Sequence, residues 1–146
     1  MIRSMGVVLV LGLGLVVAQG CMATPQDLVN DHASGGGTTQ NFDVTMDEAF
    51  EIAKAVFRWS GAELVEEHRP QKYLLTEIPP STNHGALCGA WFLQLDGGAL
   101  QVTVLTRKRN PGAWGIALTE AAFLKEFTEA AELLHTTKQL PSKKPN

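Results

Sequence analysis

The chain has 146 residues, enough for one domain and no more. At 45% hydrophobic and 18% charged, with 14 glycines and 7 prolines, its composition is that of a globular protein. The formal charge of −3 offers no basic excess for neutralising phosphates, which argues against nucleic acid as a partner.

The first twenty residues stand apart. Residues 1–4 carry one charge, Arg3, and residues 5–18 read MGVVLVLGLGLVVA without a polar side chain. That run falls short of the roughly 20 apolar residues that a membrane span needs. A short positive start followed by a brief apolar core describes a signal peptide, here residues 1–20.

Ala18-Gln19-Gly20-Cys21 then follows. It resembles the lipobox of bacterial lipoproteins, in which small residues precede a cysteine that accepts a diacylglyceryl group as a thioether. Gly20 fits that pattern, while Ala18 stands where the family prefers leucine. An ordinary secretory signal cut after 16–18 is the alternative. The resemblance implies lipidation of Cys21. Three acyl chains make detachment negligible, at about 0.8 kcal/mol per buried methylene. Met22 in place of aspartate after the cysteine implies, by similarity to enterobacterial sorting rules, the periplasmic side of the outer membrane.

Without residues 1–20 the chain holds 11 Lys+Arg against 15 Asp+Glu, a net charge of −4. With Cys21 lipidated, Cys88 is the sole remaining cysteine and no internal disulfide can form. Cys88 lies in an apolar run and reads as a small buried hydrophobe rather than a reactive thiol.

Residues 21–43 are expected to be the lipidated cysteine and a flexible tether. Gly35, Gly36 and Gly37 sit among Ser, Thr, Asn and Gln, and such a chain spans about 25 Å root-mean-square. The folded domain is expected over 44–135. Thr45 and Glu48 form a capping box, and Ala49, Ile52, Ala53, Val56 and Phe57 mark one face of a helix over 46–60. Gly61 follows as its C′ residue. Strands are expected at 62–67 and 72–78, separated by a turn at Pro70, which cannot donate to a ladder. Two more are expected at 85–95 and 99–107, joined by Asp96-Gly97-Gly98. Thr119 caps a closing helix with Phe123, Phe127, Ala130, Ala131 and Leu134 on one side. Residues 136–146 form a polar tail expected to be disordered.

The expected fold is therefore α+β, a four-stranded antiparallel meander sheet with an N-terminal and a C-terminal helix packed on one face. The capped helix, the DGG hairpin at 96–98, the strand LQVTVLTRKR at 100–109 and the run TEAAFLKEF at 119–127 resemble small uncharacterised bacterial lipoproteins. The layout is also distantly similar to helix-grip domains of envelope lipoproteins. These resemblances imply fold and location, and carry over no catalytic residue.

Little in the sequence points to chemistry. His32, His68, His84 and His135 have no second ligand at metal spacing, and His84 and Cys88 would stand about 13 Å apart on an extended strand. Ser60 and Ser81 have no base beside them. Glu63, Glu66 and Glu67 read as a solvated edge strand. No glycine-rich element precedes a helix as a phosphate loop does. The sequence therefore predicts neither catalysis nor any cofactor or metal.

Two features suggest surface contact. Arg107, Lys108 and Arg109 form the dense basic cluster, able to meet anionic headgroups or simply to end a strand in solvent. Trp114, in a glycine-containing loop, is the exposed candidate among three tryptophans, with Trp59 and Trp91 reading as core or core edge. The expected function is a membrane-anchored, non-catalytic binding or scaffolding domain for an envelope partner. The alternative is a carrier of a small apolar ligand or lipid, held between sheet and helices.

Overall fold

A computed structural model of the chain describes residues 22–80 and 85–146. Residues 1–20, expected to be a signal peptide, lie outside the described residues, as do Cys21, Ser81 and His84. The elements in chain order are helix α1 (Pro25–Ala33), strand β1 (Thr38–Phe42), helix α2 (Met46–Trp59), strands β2 (Val65–His68), β3 (Tyr73–Ile78), β4 (Ala86–Gln94) and β5 (Leu100–Lys108), and helix α3 (Glu120–Thr137).

The class is α+β and the sheet is antiparallel. It has five strands rather than four, in the order β1-β5-β4-β3-β2. β2 to β5 form a meander, with Val65 opposite Thr76, Leu75 opposite Gly89, and Ala90 opposite Val104. The added strand falls where a flexible tether was expected. β1 pairs with β5, Thr38 opposite Val104 and Phe42 opposite Leu100. Four of its five residues are exposed, so burial periodicity gave it no signature; the ladder with β5 holds it instead.

α1 is the second departure from a tether. Pro25 sits in its first turn, and the Asp27 carboxylate accepts from the Thr24 backbone N–H at 2.7 Å. Gly35, Gly36 and Gly37 turn the chain from α1 into β1. Gly35 and Gly37 take φ of +86° and +100°, and a Cβ on Gly37 would stand 2.8 Å from the Val104 carbonyl oxygen. These glycines serve a tight turn and a close backbone approach, not flexibility.

α2 and α3 form as expected. The Thr45 hydroxyl accepts from the Glu48 N–H at 3.2 Å, and the Glu48 carboxylate accepts from the Thr45 N–H at 2.9 Å. At its end Gly61 has φ +103°, and the Ala62 and Gly61 N–H groups donate to Phe57 and Arg58, closing a Schellman motif. The two helices pack on one sheet face. All six phenylalanines are buried between the layers, in tilted pairs such as Phe42 with Phe127 and Phe57 with Phe123.

The opposite face carries a smaller apolar cluster. Leu28 of α1 is fully buried there with Leu75, Leu87, Trp91 and Leu105. The C-terminal tail also packs rather than straying. The Pro141 carbonyl accepts from Trp59 Nε1 at 3.0 Å, Lys144 pairs with Glu126 at 2.7 Å, and Leu140 packs against the main core. Apolar Leu140 and Pro141 provided the contact that a reading of the tail as polar overlooked.

Candidate functional site

The antiparallel register collects several loops at one end of the sheet. β5 and β3 finish there, and β4 and β2 start there. The chain entering α1 reaches the same end, where the Ala23 N–H donates to the Arg109 carbonyl at 3.2 Å. The residues that follow Cys21 are thus joined to the domain at the close of β5.

Trp114 belongs to this end and is 96% exposed. Its loop is built around it. The Asn110 side chain accepts from the Gly112 N–H at 3.0 Å, the Asn110 carbonyl accepts from the Ala113 N–H, and Lys108 Nζ donates to the Ala113 carbonyl at 2.8 Å. Ala113 and Leu118 are buried on either side. The loop's neighbours are held while the indole projects outward.

The basic cluster is separated by β-strand alternation and each member has an internal partner. Arg107 pairs with Asp31 of α1 at 2.7 Å, Lys108 serves the 110–118 loop, and Arg109 pairs with Glu77 of β3. Their first task is to tie elements together.

Two further apolar side chains are exposed at this end, neither of them singled out from the sequence as a surface contact. Met22 is 53% exposed and Leu64 is 79% exposed. Leu64 directly precedes β2, and its carbonyl accepts from the Thr76 hydroxyl at 2.6 Å. An open groove of about 330 Å³ is lined by Pro25, Leu64, Leu75 and Leu87, and another of about 520 Å³ by Ala23, Lys108, Pro111 and Ile116. The start of α1 therefore lies between Leu64 and the Trp114 loop.

The remaining candidates are scattered. Cys88 is fully buried on β4, and burial together with the Glu120 carboxylate pushes its thiol up to about 12. His32 stacks on Trp91 with ring centroids 4.2 Å apart, and burial lowers its pKa. His68 stacks on Tyr73 and bonds Glu66 at 2.6 Å, while His135 lies 3.7 Å from Glu48. Glu67 is held by Lys54 and Arg69, and the bonds from those cations lower its pKa. Ser60 donates to the Val56 carbonyl. Among the described residues, no group of three or more His, Cys, Asp or Glu side chains converges as a metal site, and no helix is long and apolar enough to cross a membrane.

The row formed by His32, Trp91, Tyr73 and His68 was also missed. Its signal was the cross-strand register, because Tyr73 faces Trp91 and His68 faces Tyr73. Those pairings follow only once the turns are known. Comparison with protein-family models, with curated proteins and with solved structures yields no match.

Proposed function

We propose that this chain is a lipid-anchored envelope protein whose domain is a non-catalytic binding or scaffolding module. In this reading Cys21 carries the acyl chains, and the domain faces the periplasm from the outer membrane. The observation that carries the surface-binding part is the layer between sheet and helices. All six phenylalanines occupy it, which favours recognition at the surface over a lipid carried inside.

The dispersal of the polar groups supports the same reading. His68, Glu67, Arg107 and Arg109 are each engaged in a local ion pair or hydrogen bond, and Cys88 is buried away from solvent. Surfaces suited to a partner are present. Among the described residues β1 and β2 are each paired on one side only, and an open strand edge can accept a strand from another protein. Anchoring would raise the effective concentration of the domain near membrane-bound partners.

Crosslinking in the host envelope, followed by affinity capture of the full acylated protein, tests this function. A discrete envelope protein captured reproducibly, and lost on disruption of β1 or β2, is the expected result. Purification with a stoichiometric bound lipid, seen by native mass spectrometry, would favour the carrier.

A further inference from the structure

Four large apolar side chains are exposed among the described residues: Met22, Leu64, Leu93 and Trp114. Three of them belong to the end of the sheet where Ala23 is bonded to the Arg109 carbonyl. Leu93 is at the opposite end, near the β4–β5 hairpin, where it faces Gln101. Exposed apolar groups gathered at one end of a domain mark a contact surface.

The covalent chain identifies the occupant. Residue 21 is two residues from Ala23, a reach of at most about 7 Å. Acyl chains on Cys21 would therefore enter the bilayer beside this end of the sheet, not at the far end of a long tether. We infer that Trp114, Met22 and Leu64 form a membrane-seating surface, with the Trp114 indole in the interfacial layer of the bilayer to which Cys21 anchors the chain. This rests on the lipoprotein reading above and adds an orientation to it.

The chemistry fits a lipid surface. An indole has an apolar body and one N–H donor, which suits it to the headgroup boundary. The loop backbone is held by the bonds from Lys108 and to Asn110, so little ordering is needed for Trp114 to project. Of the neighbouring cations, Arg107 and Arg109 are already paired with Asp31 and Glu77, and Lys108 donates to the Ala113 carbonyl. The contact is therefore apolar in the main and needs no anionic lipid. With this end seated, the far end with the 95–99 turn points away from the membrane.

The test uses the mature acylated protein, purified from its host membrane and reconstituted into phosphatidylcholine vesicles with brominated acyl chains. Emission from Trp114 is isolated by subtracting that of a Trp114→Phe variant, a substitution at an exposed site. Loss of the Trp114 emission in brominated relative to plain vesicles, with a blue shift on reconstitution, is expected. A Leu93→Trp reporter in the Trp114→Phe background should keep its emission. Unquenched Trp114 emission from protein whose mass confirms the acylated Cys21 overturns the inference and leaves the anchor standing. Equal quenching of the Leu93→Trp reporter overturns it as well. A mature protein with no acyl mass at Cys21 removes the lipoprotein reading, and the inference with it.

Discussion

The imidazole of His32 lies flat on the indole of Trp91, with centroids 4.2 Å apart and planes 5° apart. This stack joins α1 to β4 across the smaller apolar cluster. Burial lowers the His32 pKa, so the folded state favours the neutral ring. For a base with a depressed folded pKa, the unfolded state binds more protons as pH falls. The stability it contributes is present above the ordinary histidine range and is lost as pH drops below about 6.5. Asp27, held below its ordinary value by the Thr24 backbone bond, stays ionised through that window. Hydrogen exchange corrected for intrinsic rate should therefore show weaker protection of α1 at about pH 5 than at about pH 7.5. The α2 and α3 amides should change little. A His32→Phe variant should remove the difference, and an unchanged wild-type profile would refute this role for the stack.

Gly89 is a glycine because of Trp91. A Cβ there would stand 2.4 Å from the indole Cη2 and 3.2 Å from Leu75 Cδ2. The ring is rigid and backed by His32, so Gly89→Ala must displace the indole. Overpacking of this kind costs about 1–3 kcal/mol. Gly97 has no atom within 4 Å of a built Cβ, and Gly97→Ala should stay within about 0.5 kcal/mol. Urea unfolding of the two variants checks the contrast, and equal midpoints would contradict the placement of Trp91.

The contrast between α2 and α1 shows what the sequence made legible. α2 had a capping box, a five-residue apolar face and a C′ glycine, all of which act within the helix itself. α1 also had a start signal, Thr24-Pro25 with Asp27, but it buries a single leucine fully. Gly35, Gly36 and Gly37 after it read as a linker because the positive φ of Gly35 and the steric need of Gly36 against Asp31 and of Gly37 against Val104, far away in sequence, appear only in the fold. β1 is fixed by backbone pairing with β5, which side-chain alternation does not report. The exposure of Trp114 was foreseeable from its loop. Its nearness to the start of α1 was not, since that depends on the Ala23 to Arg109 bond.

Phe57 and Phe127 are both fully buried, on α2 and α3 respectively. Phe57 packs on Phe123 at 4.9 Å between centroids, and Phe127 on Phe42 at 4.5 Å. Truncating either to alanine should cost about 3–5 kcal/mol, a large share of the roughly 5–15 kcal/mol that holds a small domain. The Phe127 contact also secures the last residue of β1, so Phe127→Ala should loosen that edge strand. Denaturant midpoints and exchange at residues 38–42 measure both effects, and a loss below about 1 kcal/mol would contradict the packing.

Cys88 supplies an internal reporter of opening. Thiolate, not thiol, attacks a maleimide or a disulfide reagent, and burial beside Glu120 holds this thiol up to about 12. The side chain is also fully excluded from solvent on the core face of β4. Both factors require the layer to open before Cys88 can react. Native protein at about pH 8 should therefore resist labelling for far longer than a free cysteine, whose pKa is near 8.5. Where closing outpaces labelling, the rate follows the population of the open form. Phe57→Ala should then accelerate labelling by about the factor its lost stability predicts, tenfold for each 1.4 kcal/mol. Rapid labelling of the unmutated native domain would mean that β4 is not sealed beneath α2 and α3.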